Sequence, residues 1–489
     1  MKKKIFTYFD CESDAGAAGK ATCLSIAAVT VDENFKKVSI GGVPAQWKIN
    51  SRFKRSRVFE IDAMLAHNIP IEVINKEALS NGQLVDEWER RFKILADHGT
   101  VFVGYNSMNY DNILLQNTLF INLKWPYITN KQQFDLLPAI RAASVFAPGA
   151  LNYELNAKGN TSFKLQSMLA ANNIHTEGAH DSLYDTIATK DLAKRLFEKA
   201  PDVFNASIEL RKKADVLPKI QEGIFCWHEA FFKTKIYCGM HLGNTIFPGW
   251  YYLYDLRKHP DEVIKLDREE LKQSLKESPK WLRTLKSNRA PLIMDSEMAL
   301  LDESYKTLGM SELKKRYNLL KKHKDELSSR IRDIIEEQYS EKQEFNQEEL
   351  QPEEKIYSLN PSNEERNLMT QFNQDNTSQE KKRIFNLFKR DDVKILAEMK
   401  LFDDNDGNED KFCEILSKRD YKRIKKRIAT NILDMSDKPS PFTKIPTQQA
   451  RLDTLRVIAE KNEDHEKMKQ LDSFDKYLEE MKLFFGKAS

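Results

Sequence analysis

The chain has 489 residues, of which 40% are hydrophobic and 10% aromatic, and its formal net charge is only +3. This length corresponds to about three domains, and the composition suits folded globular units. The near-neutral charge excludes a strongly basic protein, so any contact with a polyanion must come from local patches.

The cysteines and the apolar stretches indicate the compartment. There are five cysteines, an odd number without a C-x-x-C pair, so we expect a reduced, cytoplasmic protein without a structural zinc site. The apolar run behind the N-terminal lysines stops at Asp10, too early for a signal peptide. The apolar stretch 21–31 is too short to span a bilayer, and we expect no membrane partner.

The first predicted strand, residues 5–12, ends in two acids. Asp10 and Glu12 are separated by one residue, so their side chains lie on the same face of a strand. Two adjacent carboxylates repel each other unless a cation lies between them, and oxygen ligands suit magnesium. A solvated acidic turn is the alternative, because Ser13, Asp14 and Gly16 follow. For this motif alone the turn is the preferred interpretation.

Two further strands are predicted at 21–31 and 47–49, followed by a basic cluster. The cluster consists of Arg52, Lys54, Arg55 and Arg57. A solvated strand edge and a phosphate-binding patch explain these residues equally well.

A helix over 86–95 precedes a buried type of strand, residues 100–106, that ends in a glycine turn. Asp111 then opens the next helix. It could be an early-turn acid that favours the helix dipole, or a third metal carboxylate at the C-terminal edge of a sheet.

His180 and Asp185 stand five residues apart at another predicted helix start. A lone histidine is more often a surface or capping residue than a catalyst. Asp185 has apolar neighbours that look buried, however, and a carboxylate on a partly buried face needs a partner.

The order of these residues resembles the DEDD exonuclease superfamily. Asp10-x-Glu12, Asp111 behind a Gly-Tyr-Asn loop and His180-x-x-x-x-Asp185 match its histidine branch. Within the superfamily the chain is similar to the bacterial exodeoxyribonuclease I family. The stretches that carry this similarity are Gly104-Tyr105-Asn106, Phe134-Asp135-Leu136-Leu137 with Arg141-Ala142, Ser162-Phe163-Lys164-Leu165, Ala179-His180-Asp181 and Gly243-Asn244-Thr245.

The expected fold is α/β and multi-domain. The resemblance implies an RNase H-like exonuclease domain over 1–204, with a mixed sheet and flanking helices. Short aromatic strands from 223 to 266 predict a small antiparallel barrel, similar to the Src-homology-3-like barrel of the family, in a region 205–350 that ends with a long helix over 311–339. Residues 351–489 are expected to form a helical domain with a basic run over 418–427.

The aromatic residues of the second region have two interpretations. They could form a base-stacking platform, but packing in the core of the barrel is the preferred interpretation for most of them. The basic run over 418–427 is either a solvated helix face or a site for DNA backbone or an acidic peptide.

The resemblance implies a 3′→5′ exodeoxyribonuclease that hydrolyses single-stranded DNA to nucleoside 5′-monophosphates in DNA repair. Asp10, Glu12, Asp111 and Asp185 would hold two Mg²⁺ ions, which Mn²⁺ could replace, and His180 would accept the proton of the attacking water. Glu12, Asn106 and Lys164 would contact the substrate.

Single-stranded-DNA-binding protein, through its acidic tail, is the partner that the resemblance implies, and a monomer is the default. Two alternatives stay open. One is a 3′→5′ exoribonuclease on the same core, and the other is a catalytically inactive scaffold that binds single-stranded DNA.

Overall fold

The computed structural model describes residues 4–67, 69–127, 132–174, 181–340, 350–374, 376–438 and 440–486. The N-terminal unit is built on a five-stranded mixed sheet with strands β1 (Ile5–Ser13), β2 (Cys23–Asp32), β3 (Gln46–Asn50), β4 (Val101–Gly104) and β5 (Gln133–Asp135). Their spatial order is β3-β2-β1-β4-β5. β2 runs antiparallel to β1 and β3, while β4 runs parallel to β1 and β5.

The helices of this unit are α1 (Ile61–His67), α2 (Ile71–Asn75), α3 (Asn81–Asp97), α4 (Asp111–Ile121), α5 (Leu136–Phe146), α6 (Leu165–Ala171), α7 (Ser182–Lys199) and α8 (Pro201–Glu209). They cover both faces of the sheet, which is why β2 is buried along nearly its whole length. The next helix, α9 (Lys213–Gln221), packs against the second unit. The predicted first three strands are confirmed. β5 was absent from the sequence interpretation, because three residues are too few to show an alternating pattern.

The second unit contains an open antiparallel sheet. Its strands are β6 (Phe225–Ala230), β7 (Thr234–Asn244), β8 (Trp250–Asp255), β9 (Leu282–Lys286) and β10 (Met294–Asp295), in the order β10-β6-β7-β8-β9. The predicted short antiparallel strands are present, but they do not close into the predicted small barrel, since the edge strands β9 and β10 do not pair with each other among the described residues. The two-residue β10 is too short to continue the ladder.

Helices α10 (Asp261–Ile264), α11 (Arg268–Ser274) and α12 (Glu303–Ser340) complete this unit. α12 is kinked at Gly309, whose φ of 74° is accessible to glycine. Its apolar stripe, which includes Leu313, Leu320 and Leu327, is fully buried within the chain's own core. The predicted long helix is therefore confirmed.

The C-terminal unit is entirely helical among its described residues. Its α-helices are α13 (Asn363–Phe372), α14 (Ser378–Leu387), α15 (Asp391–Asp404), α16 (Glu409–Cys413), α17 (Lys418–Ile432), α18 (Ile445–Lys461) and α19 (His465–Gly486). Its apolar core is continuous with residues of the N-terminal unit such as Phe59 and Phe120. None of the described helices combines the length and the apolar character that a bilayer-spanning segment requires.

Candidate active site

Two carboxylates project from the central strand of the mixed sheet. Asp10 and Glu12 lie near the C-terminal end of β1, opposite Ala27 and Ser25 of β2. Both side chains are partly exposed, while the residues between and before them are buried. The alternation of the strand thus presents both acids at one sheet edge, as their spacing predicts.

Helix α7 brings a third carboxylate to this edge. Asp185 is in the first turn of α7 and is buried. The three acids come close enough to share a cation: one carboxylate oxygen from each of Asp10, Glu12 and Asp185 lies within 4.8 Å of the other two. Gln166 donates a hydrogen bond to Asp185 Oδ1 at 3.2 Å.

A hydrogen bond between two hydroxyl groups holds the start of α7 against β2. The hydroxyls of Ser182 and Ser25 lie 2.8 Å apart, whereas the hydroxyl of Thr186 donates within α7 to the carbonyl oxygen of Ser182 at 2.6 Å. Ser25 is the residue of β2 that pairs with Glu12. The contact between Ser182 and Ser25 therefore ties the first turn of α7, which carries Asp185, to the strand beside the two acids of β1.

Asp111 lies next to this group but outside it. It is buried at the start of α4, and only the other three acids satisfy the 4.8 Å separation among the described residues. Burial raises the pKa of Asp111 to about 7; the charge of Asp135 adds to the shift, and hydrogen bonds from the backbone N–H groups of Asp111 and Cys11 oppose it.

In the absence of a cation, ionisation of the two acids of β1 is energetically unfavourable. Burial, followed by the charges of Asp111, Glu12 and Asp185, raises the pKa of Asp10 well above its usual range. Burial and the charges of Asp185 and Asp111 raise the pKa of Glu12 to about 9, and Lys48 opposes that shift. An all-oxygen donor set with mutual repulsion fits a hard divalent cation such as Mg²⁺ or Mn²⁺.

A cavity of about 690 Å³ opens beside Asp185. Asn106 and Lys164, the two other predicted substrate-contacting residues, both line it. Asn106 has a φ of 60°, a left-handed conformation that asparagine tolerates, and its N–H donates to Asp135 Oδ1 at 2.8 Å. Lys164 is exposed directly before α6.

The predicted base His180 lies outside the described residues. The adjoining residue Asp181 caps α7, accepting hydrogen bonds from the N–H groups of Leu183 and Tyr184. It also pairs with Lys48, whose Nζ lies 2.6 Å from Asp181 Oδ2.

Sequence reasoning assigned no role in the site to three residues that contribute to it. Gln166 follows Lys164 by two residues, so the same motif could have suggested it. Ser182 contacts β2 through a hydroxyl, and no pattern distinguishes it from an ordinary serine at a helix start. Arg141 belongs to a stretch that carries the resemblance; it lines the cavity and has no hydrogen-bond partner for its Nε among the described residues.

Comparisons with known proteins show what the chain is similar to in sequence and in structure. No family model matches the chain. Exodeoxyribonuclease I of Buchnera aphidicola (subsp. Acyrthosiphon pisum) is 31% identical over 132 residues, which are 26% of this chain and 32% of that protein. Exodeoxyribonuclease I of Haemophilus influenzae is 30% identical over 169 residues, or 33% of this chain and 34% of that protein. The matched stretch thus spans about a third of the length of these curated relatives.

The structural likeness extends over nearly the whole chain. Exonuclease I from Methylocaldum szegediense superposes with a TM-score of 0.77 and 18% identity, covering 98% of this chain and 99% of that one. Exonuclease I of Escherichia coli, in complex with a 5cy-dT13 oligonucleotide, superposes with a TM-score of 0.77 and 17% identity, covering 98% of this chain and 100% of that one. An SSB/Exonuclease I structure superposes with a TM-score of 0.74 and 17% identity, again covering 98% of this chain and 100% of that one. The chain therefore has the exonuclease I fold in all three units.

Proposed function

We propose that this chain is a metal-dependent exonuclease of the exodeoxyribonuclease I family. It removes nucleotides from the 3′ end of single-stranded DNA. The proposed compartment is the cytoplasm, and the proposed process is DNA repair. The observation that carries the proposal is the convergence of Asp10, Glu12 and Asp185 at one edge of the sheet. That convergence occurs within a fold shared with exonuclease I over 98% of the chain.

The proposed cofactor is magnesium, held by Asp10, Glu12 and Asp185, with Asp111 as the fourth acid. Bound divalent cations would lower the pKa of an attacking water and stabilise the charge that develops on the leaving oxygen, most effectively as a pair of ions. The raised pKa values of Glu12 and Asp111 support this assignment, because a cation relieves the repulsion that makes their ionisation costly.

The chain's own residues would supply orientation and proton transfer. Gln166 holds Asp185 in position through its amide, and the hydroxyl of Ser182 fixes the start of α7 against β2. His180 would accept the proton of the attacking water. Lys164 and Asn106 would bind the strand in the cavity beside Asp185.

DNA is the proposed substrate rather than RNA, because the second and C-terminal units also match exonuclease I. One of these structural relatives is itself a complex with an oligonucleotide, 5cy-dT13. The proposed domain limits remain 1–204, 205–350 and 351–489.

The test is a digestion time course with Mg²⁺ and 5′-labelled substrates. Single-stranded DNA, duplex DNA and single-stranded RNA are compared for the wild type, Asp185→Asn and Glu198→Gln. Glu198 is an exposed acid at the far end of α7, which makes its variant a matched control.

We expect progressive shortening of single-stranded DNA by the wild type and Glu198→Gln. In Asp185→Asn the rate should fall by more than about 100-fold, since even residues that only orient a metal ligand contribute about 10- to 100-fold to affinity or activity. Equal or faster loss of RNA would favour the exoribonuclease alternative. Binding without shortening would mean an inactive scaffold.

The proposed partner is single-stranded-DNA-binding protein, since one structural relative is an SSB/Exonuclease I structure. The predicted basic run in α17 is partly occupied by internal ion pairs: Arg427 contacts Glu353 at 2.8 Å, and Arg423 pairs with Glu398. The exposed lysines Lys422 and Lys426 remain available in this helix for an acidic tail. The test is a titration of the protein with an acidic tail peptide. If this face of α17 is the binding site, the Lys422→Ala/Lys426→Ala variant should bind the peptide more weakly than the wild type.

A further inference from the structure

Two phenylalanines form the exposed tip of the β6–β7 hairpin. Phe231 and Phe232 are 91% and 79% exposed, whereas the aromatic residues of the neighbouring strands, such as Tyr237 and Tyr251, are less than a tenth exposed. The strand residues therefore pack in the core, as predicted for most of these aromatic residues, and this pair is an exception. The rings touch edge to face, with centroids 5.0 Å apart and planes at 88°.

Folding of the hairpin does not require these side chains. The register of β6 and β7 is set by six paired positions from Phe225–Gly239 to Ala230–Thr234. Hairpin tips are normally polar or glycine-rich. Leaving a phenylalanine ring in water forgoes the favourable free energy of its burial. Adjacent exposed apolar rings in a soluble protein are typical of a binding surface.

The hairpin tip faces the candidate active site across the cavity beside Asp185. One side of the cavity is formed by the N-terminal unit, including Asn106, Arg141 and Lys164, and the other by residues 230–234. Among the described residues that line the cavity, Arg141, Lys164 and Lys233 are cationic and only Asp185 is acidic.

Arg141 contributes a positive charge inside this cavity wall. Its guanidinium lies 5.6 Å from the centroid of the Phe163 ring, and no carboxylate among the described residues forms an ion pair with it. Its charge, after burial, helps to lower the pKa of the adjacent His228 to about 4. Burial raises the pKa of Asp135 and the charge of Arg141 opposes that rise, although the two groups form no ion pair. A phosphate group of a bound strand would give Arg141 a negative partner in direct contact.

From this arrangement we infer that Phe231 and Phe232 stack on the bases at the 3′ end of a single strand while Arg141, Lys164 and Lys233 bind its phosphates. The inference rests on the proposed function, because the strand must lead to Asp185. Exposed aromatic rings combined with cations are the general means of binding single strands without sequence preference. Because the two rings pack edge to face, the bases stack on their outer surfaces rather than between them.

The test measures binding rather than activity, with EDTA present so that no digestion occurs. Oligodeoxythymidines carry a single 2-aminopurine, whose fluorescence is quenched by stacking, at successive positions from the 3′ end. The proteins compared are the wild type, Phe231→Ala/Phe232→Ala, Phe231→Trp/Phe232→Trp and Leu483→Ala. Leu483 is an apolar residue of α19 that is 68% exposed and lies outside the cavity lining.

We expect the double alanine variant to bind about 5- to 100-fold more weakly for each base that loses its stack. Quenching at the 3′-proximal positions should be lost with it. The tryptophan variant should retain affinity and quenching, and Leu483→Ala should behave as the wild type.

A second strand with abasic 3′-proximal positions isolates the stacking contribution. The wild type should bind the abasic strand as weakly as the double alanine variant binds the intact strand. The affinity of the double alanine variant should be the same for the abasic and the intact strand. Unchanged affinity and quenching in Phe231→Ala/Phe232→Ala would overturn the inference while leaving the proposed function intact. Failure of the wild type to bind single-stranded DNA would overturn both.

Discussion

Lys54 Nζ lies 3.1 Å from Asp403 Oδ2, and both side chains are almost completely buried between the N-terminal and C-terminal units. The backbone N–H and the hydroxyl of Ser56 donate to the same carboxylate, each at 2.8 Å. Both sequence interpretations of the basic cluster, a solvated edge and a phosphate patch, were therefore wrong for Lys54. Its neighbour Arg55 likewise turns to the C-terminal unit, 4.4 Å from the centroid of the Phe484 ring.

Removing one partner of this pair should loosen the contact between the units. Lys54→Ala leaves the Asp403 charge buried without its counter-ion, which typically costs about 3–5 kcal/mol. The expected result is a large drop in the midpoint of chemical unfolding. The double variant Lys54→Met/Asp403→Leu should recover most of the loss, and Lys36→Ala, an exposed lysine, should change stability by less than about 0.5 kcal/mol. A midpoint for Lys54→Ala equal to that of Lys36→Ala would contradict the role of the pair.

Two buried residues of α7 that carry hydroxyl groups offer a test of how the site is positioned. Ser182→Ala removes the hydroxyl that hydrogen-bonds to Ser25 of β2, so Asp185 should lose its fixed distance from β1. We expect Mg²⁺ affinity, measured by calorimetry, to fall by about 10- to 100-fold.

Thr189→Val is the matched control for that variant. Thr189 is also buried in α7, and its hydroxyl has no hydrogen-bond partner among the described residues. Its replacement should leave Mg²⁺ affinity unchanged and stability equal or slightly higher. Equal Mg²⁺ affinity in the two variants would show that the contact between Ser182 and Ser25 does not position Asp185.

The sequence predicted those parts of the site that lie within one element. The alternation in β1 was sufficient to place Asp10 and Glu12 on one face. Asp185 required the resemblance, because nothing local to α7 indicates which strand it packs against. The Lys54–Asp403 pair joins residues far apart in the chain, and no pattern in either segment specifies its partner. Closure of a barrel likewise depends on pairing between distant edges, which aromatic strand patterns do not encode.

The metal-free protein should become less stable as the pH rises. Folding raises the pKa of Glu12 to about 9 and that of Asp111 to about 7, whereas in the unfolded chain such groups titrate near about 4. Between these values the folded state binds more protons than the unfolded state, so the unfolding free energy falls with pH, by up to about 1.4 kcal/mol per pH unit for each group. Thermal unfolding in EDTA from pH 5 to 9 measures this slope.

Magnesium should reverse the trend, because it binds the ionised acids and its stabilising effect grows over the same pH range. Glu12→Gln should flatten the slope in EDTA, while Glu33→Gln, an exposed residue after β2, should retain it. A slope in Glu12→Gln identical to that of the wild type would mean that Glu12 is not protonated in the metal-free fold.

His180→Ala tests the proposed base, which precedes Asp185 by five residues. Loss of a positioned proton acceptor should slow turnover of single-stranded DNA by about 10²- to 10⁴-fold without changing Mg²⁺ affinity, since the carboxylates remain. The acidic limb of the pH–rate profile should disappear, and added imidazole should restore part of the rate. His98→Ala, at the end of α3, serves as the control and should match the wild type. Turnover of His180→Ala within a few-fold of this control would assign proton acceptance to solvent instead.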